Sequence, residues 1–363
     1  MRSLFFFIPA IAIAAVFNTS CSKEEQVRDE VETSMVKISI STPGMPSDYP
    51  LGGVSTKGTG TAFNNQIEDN TVKTLEVFIF NSEGENVGEL DAYKRFENPT
   101  SLSNLEMKAT VGKKEIYIVA NSHRANWNGV VKLSDFKEQI VDLKDENLKN
   151  FVMTGYVQKM LDPTATVSVE LERVAAKVVL ESLKTDFANT PYSGMSLSNI
   201  KVYLTNVHSR KHFSDGREPN IGTILNDKRL VAADTAACAM RGALADVISG
   251  TVGDAGHSVQ HTFYAFENLA ESETSSLRFT RLVIQADLNG KTYYYPVNVN
   301  QPYFGYVAGN GHKGIKRNTE YRISVTIKRP GATDPDATIL FGTLSATVTI
   351  ASWESTAIAN PEF

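Results

Sequence analysis

The sequence predicts an antiparallel all-β protein made of two β-sandwiches in tandem, and three observations carry that prediction. From residue 72 onward the apolar residues recur with a period of two rather than 3.6. The segments that do so are rich in β-branched and aromatic residues and end at Gly, Asn, Asp or Pro. Strands and helices do not alternate in the way that builds a parallel sheet.

The first strand pattern is "MVKISIS", with Val36, Ile38 and Ile40 on one face and Lys37 and Ser39 on the other. An interval without strand pattern follows, Ser41 to Thr71, rich in Pro and Gly. Loops longer than about 12–15 residues inside a compact domain are usually functional, disordered or linker-like. "KTLEVFIF" then sets Leu75, Val77 and Ile79 against Phe78 and Phe80, which suits a strand buried on both faces. "KEIYIVAN", "TVSVEL", "AAKVVL", "KVYLTNV", "RLVIQADL", "TYYYPVNV" and "EYRISVTI" read as further strands. In the last, "LSATVTI", one face carries Leu344, Ala346, Val348 and Ile350. The spacing of Leu133, Phe136, Ile140 and Leu143 reads Lys132 to Leu148 as a short helix over one loop, with Ser134 as its N-cap. "DTAACAMRGALADVIS" fits either a helix or a loop insertion. A boundary at about residues 165 to 172 leaves each half large enough to stabilise its own core.

The N-terminus reads as an export signal. Arg2 precedes an apolar run of 14 residues, Leu4 to Phe17, too short for a membrane span and right for a signal-peptide core. Cys21 follows Thr19 and Ser20 at its end, where a lipoprotein signal peptidase acts, so the expected lipidation site is Cys21. The next residues, "SKEE", are similar to the Lys-plus-acidic signal that sends lipoproteins of the Bacteroidetes to the outer face of the outer membrane. Cys238 then has no partner, and stability must come from the core rather than from a disulfide. A net charge of -5 and the lack of a long basic cluster exclude nucleic acid as a partner.

Signals of chemistry are sparse. His208 with His212 and His257 with His261 have i, i+4 spacing, but that spacing converges on a metal only in a helix, and neither pair has an acidic or Cys ligand at a recognisable distance. Asp334 and Asp336 read as a solvated linker, and "TYYYP" (Tyr293 to Tyr295) as a strand with one face in the core. No Gly-rich phosphate loop and no G-x-S-x-G elbow is present. The expectation is a protein with no catalytic residue, no metal and no cofactor.

Four segments in order, "VELERVAAKVVL", "FYAFEN" (Phe263 to Asn268), "KRNTEYRISVTIK" (Lys316 to Lys328) and the terminal "ATVTIASWE", resemble the fimbrillins, the major fimbrial subunits (type V pilins) of Bacteroidales. The resemblance implies two transthyretin-like sandwich domains in a precursor tethered to the outer membrane by its lipid. It further implies cleavage by a trypsin-like protease in the loop after the first strand. The displaced strand, with Val36, Ile38 and Ile40, would be replaced by a donor strand of another subunit, with Leu344, Ala346, Val348 and Ile350. The partners implied are other copies of the chain and related fimbrial subunits in a cell-surface fimbrium serving adhesion.

Fimbrillins usually carry Arg at the cleavage point. Here Lys57, in "STKGTG", is the single basic residue between Lys37 and Lys73, so the cut is expected between Lys57 and Gly58. The chain then divides into a signal peptide (1–20), a propeptide with the exchangeable strand (21–57), an N-terminal domain (58–168) and a C-terminal domain (169–363). "DTA" is similar to an O-glycosylation sequon of Bacteroidetes, which makes Thr235 a candidate acceptor. The alternative expectation is a monomeric surface lipoprotein that binds glycan through exposed aromatics.

Overall fold

The computed structural model describes residues 32–42, 71–214, 221–240, 242–274, 277–302, 311–339 and 342–353. These residues are mostly strand, and the strands form several separate sheets, with no barrel among them.

The N-terminal half contains β1 (Thr33–Ser41), β2 (Thr74–Asn81), β3 (Leu90–Glu97), β4 (Leu105–Thr110) and β5 (Gly112–Ala120). After a helix, α1 (Leu133–Lys137), come β6 (Ile140–Asp142), β7 (Met153–Leu161), β8 (Thr164–Glu170) and β9 (Glu172–Arg173). Two sheets result, one in the order β4-β1-β8 and the other β3-β2-β5-β7-β9. Between them lies a core in which Val36, Ile38 and Ile40 of β1 meet Leu75, Val77, Ile79, Ile116 and Ile118. The other face of β2 is buried too, because Phe78 and Phe80 join a second core with Trp127, Phe136 and Phe213. Phe78 sits 4.9 Å from both Trp127 and Phe136, ring to ring. This is the two-sided burial that its pattern predicted.

The C-terminal half supplies β10 (Ala175–Thr185), β11 (Ser198–Thr205), β12 (Val207–His212) and β13 (Ile221–Leu225), then α2 (Ala232–Ala237). It continues with β14 (Ala245–Ile248), β15 (His261–Phe266), β16 (Arg281–Leu288), β17 (Lys291–Asn298), β18 (Thr319–Ile327) and β19 (Leu344–Ser352). Sheet orders are β15-β10-β18-β19 and β14-β11-β16-β17. A third, small sheet, β13-β12-β6, takes in one strand of the N-terminal half.

Two local expectations are corrected. The stretch Lys132 to Leu148 is not one helix: α1 ends at Lys137, Ile140–Asp142 forms β6, and Leu143–Asp145 is a single 3-10 turn. The cause is tertiary, since Val141 pairs with Lys211 of β12 and Ile140 with His212. Nor is Ser134 the N-cap. Lys132 holds that position, and its N–H donates to the Asp135 carboxylate at 2.8 Å. The Ala-rich stretch that fitted helix or loop contains both α2 and the strand β14.

Candidate functional site

β1 is the central strand of its sheet. It runs antiparallel to β4, with Lys37 opposite Glu106, and parallel to β8, with Ile38 opposite Val167. Alternation fixes its two faces: Ser34, Val36, Ile38 and Ile40 are buried, whereas Met35 and Lys37 are exposed. Backbone bonds outside the ladder fasten both ends, from Met35 N–H to Pro163 O at 3.0 Å and from Leu171 N–H to Ser41 O at 2.9 Å. Burying its three aliphatic side chains contributes about 5–9 kcal/mol at about 1.5–3 kcal/mol each. Removing β1 leaves a groove lined by the second sheet, with unpaired edges on β4 and β8.

β19 has a different setting. It pairs antiparallel with β18 along its whole length, from Thr319 opposite Ser352 to Ile327 opposite Leu344, and forms the outer strand of its sheet. Leu344 and Val348 are buried, while Ala346 and Ile350 are half-buried against the same core. Trp353, immediately beyond, is buried completely. Its ring packs on Phe151 at 5.0 Å and its backbone N–H donates to Asn318 O at 3.1 Å.

Trp353 belongs to a joint between the two halves. Arg173 donates to Trp353 O at 2.5 Å and to Asn318 Oδ1 at 3.2 Å, and Arg317 donates to Thr154 Oγ1, Arg173 O and Glu172 O. Arg317 N–H also reaches Glu267 at 3.4 Å. Arg173, Glu267, Arg317 with Asn318, and Trp353 come from four segments far apart in the chain. They are the same four segments that carry the resemblance noted above. Sequence order alone gave no reason for them to meet.

The family model for the major fimbrial subunit protein (FimA) matches residues 45–180. Over that stretch the chain is similar to the fimbrillins. It is 26% identical over 353 residues to the major fimbrium subunit FimC of Porphyromonas gingivalis, covering 92% of this chain and 66% of that protein. The chain therefore spans just under two thirds of that relative's length. It is also 21% identical to the major fimbrium subunit FimA type-2 of Porphyromonas gingivalis, over 97% of this chain and 98% of the relative. A crystal structure of a fimbrilin from Porphyromonas gingivalis W83 superposes with a TM-score of 0.60 at 17% identity, covering 89% of this chain and 99% of the other. That likeness establishes the shared β-sandwich fold.

Other residues singled out in the sequence are distributed as follows. Cys21, Lys57 and Gly58 lie outside the described residues. Thr235 is half-buried in α2, its hydroxyl 3.4 Å from Val231 O. Tyr295 is buried, and Tyr293 and Tyr294 are half-buried, so the three do not form an open stacking platform. Asp336 is not a solvated linker residue: it pairs with Arg278 and, at 2.5 Å, with Arg281. Cys238 is a buried free thiol. Of the histidine pairs, His257 and His261 do have an acidic neighbour, Asp246, which reading along the chain missed because β14 and β15 belong to different sheets.

Proposed function

We propose that this chain is a fimbrillin, a structural subunit of a cell-surface fimbrium that serves adhesion, exported as a lipoprotein precursor acylated at Cys21 and polymerised by protease-gated strand exchange. One observation carries this reading: the strand that the long interval would release is the central strand of its sheet, with Val36, Ile38 and Ile40 fully buried. An edge strand could leave at little cost. A central strand leaves a groove that has to be refilled, and that demand drives association.

Cleavage between Lys57 and Gly58 would cut the covalent link between β1 and the domains we take as 58–168 and 169–363. The donor we propose is the face Leu344, Ala346, Val348 and Ile350, whose alternation matches that of β1. In the isolated chain that face covers its own core, and so donation requires β19 to exchange its partner β18 for the groove of a neighbour. The partners are other copies of the chain and related fimbrial subunits, with a trypsin-like protease as trigger.

The test is limited trypsin digestion of the chain beginning at Ser22, with N-terminal sequencing and denaturing electrophoresis without boiling. A new terminus at Gly58 together with SDS-resistant ladders is expected. A cut chain that stays monomeric under all conditions would overturn the proposal.

A further inference from the structure

We propose that the pocket beside Tyr156 binds one neutral pyranose ring, the terminal sugar of a glycan. Alternation turns Ile116 and Ile118 of β5 toward the core that contains β1, and Tyr117 to the opposite face of the sheet. Tyr156 of β7 stands directly across the ladder from Tyr117 and shares that face. The two tyrosines line a cavity of about 220 Å³ together with Phe136, Glu170, Glu172 and Arg317. Pockets for drug-sized ligands run from about 300 to 1,000 Å³, so this one has room for a single small ring.

The aromatic side of the pocket is a rigid stack. Tyr156 is 45% exposed, and its ring meets that of Tyr117 at 4.7 Å with a tilt of 40°. Tyr117 packs in turn on the buried ring of Phe136 at 4.9 Å. A tyrosine held this way offers a large contact area and loses little conformational freedom when a ligand arrives. The face of an aromatic ring is negative, and the axial C–H bonds of a pyranose present a weakly positive, apolar face of matching size.

The polar side selects the ligand's chemistry. Arg317 is oriented before any ligand enters, because it donates to Thr154 Oγ1 at 2.7 Å, Glu172 O at 2.9 Å and Arg173 O at 3.2 Å. The Glu172 carboxylate is exposed 3.6 Å from Arg317 Nε, and Glu170 is exposed on the same rim. Carboxylates only accept and a guanidinium only donates, whereas a hydroxyl does both, so a polyol suits this mixture. Among these groups two carboxylates face one guanidinium, and the negative balance disfavours an acidic sugar or a phosphate. The site gives the adhesion proposed above a ligand class and rests on that reading for its purpose. Its residues all come from one chain, so the uncut monomer is the species to measure.

The test titrates the uncut full chain with the methyl pyranosides of glucose, galactose, mannose and N-acetylglucosamine, and with N-acetylneuraminic acid as the acidic counterpart. Calorimetry and saturation-transfer NMR read the binding. At least one neutral pyranoside should bind saturably and the acidic sugar should not. Tyr156→Ala should weaken binding by about tenfold or more at an unchanged melting temperature, while Tyr156→Phe, which keeps the stacking face, should stay within about threefold of the wild type. Glu172→Gln should weaken binding as well, and Tyr93→Ala, an exposed aromatic of β3, should leave it unchanged. An array of animal glycans and bacterial polysaccharides then tells which source displays the sugar. The proposal is overturned if no neutral pyranoside binds saturably, if the acidic sugar binds more tightly, or if Tyr156→Ala binds as the wild type does. Ladders without sugar binding sink this site alone, whereas sugar binding by a chain that never forms ladders keeps the site and sinks the fimbrial reading.

Discussion

The guanidinium of Arg173 lies over the ring of Trp353, 4.4 Å from its centroid, and donates a hydrogen bond to the same residue's carbonyl. The two residues are 180 positions apart and both are completely buried. Their contact ties the residue that follows β19 to the joint between the halves of the chain. It joins a desolvated cation–π contact to a charge-assisted hydrogen bond, each stronger here than on the surface.

Trp353→Ala should therefore lower the unfolding free energy by about 3–5 kcal/mol, as for other buried aromatic truncations. Equilibrium urea denaturation gives the number. Because the same change frees the end of β19, the variant cut at Lys57 should also assemble faster than the wild type. A variant as stable as the wild type would remove Trp353 from the joint's energetics.

Ile38 tests the value of the displaced strand. Ile38→Ala removes a fully buried side chain from β1 and should cost about 2–5 kcal/mol. Lys37→Ala, on the exposed face, should fall within about 0.5 kcal/mol of the wild type. If β1 occupies the groove as a plug, Ile38→Ala should also shorten the lag before ladders form after cleavage.

A pH dependence follows from His208. Burial first, and then the charge of Lys211, lower its pKa from the ordinary 6.5 to about 4. Between those values the unfolded chain binds a proton that the folded chain does not. Its contribution to stability is therefore complete above pH 6.5 and lost as the pH falls toward 4, and it amounts to about 3 kcal/mol. His208→Gln should flatten the rise of unfolding free energy with pH across this window by close to one proton. Urea midpoints at several pH values between 4 and 7 would reveal an unchanged slope if His208 is not the group responsible.

Much of the fold could be read from alternation because alternation is what burial on one face of a strand requires. β1 and β2 are clear cases, the first with one buried face and the second with two. β3 was not legible: in "LDAYKRFE" no residue is fully buried, and no alternating face emerges. β6 was hidden inside a helical spacing that its pairing with β12 overrides. The same limit applies to the sites. The apolar face of β1 is local and could be read, whereas the meeting of Asp246 with His261, and of Arg173 with Trp353, depends on which sheet edges the fold brings together.

A disulfide lock on β1 tests the central claim most directly. Lys37 and Glu106 are opposite each other on β1 and β4 and are exposed, and antiparallel partners about 4.5–5.5 Å apart at Cα lie within disulfide range. The double variant Lys37→Cys, Glu106→Cys, oxidised and then cut with trypsin, should yield the Gly58 terminus and remain a monomer. Adding reductant should release ladders at the wild-type rate. Ladders that form while the disulfide is intact would mean that assembly does not use the groove of β1, and the account would fail.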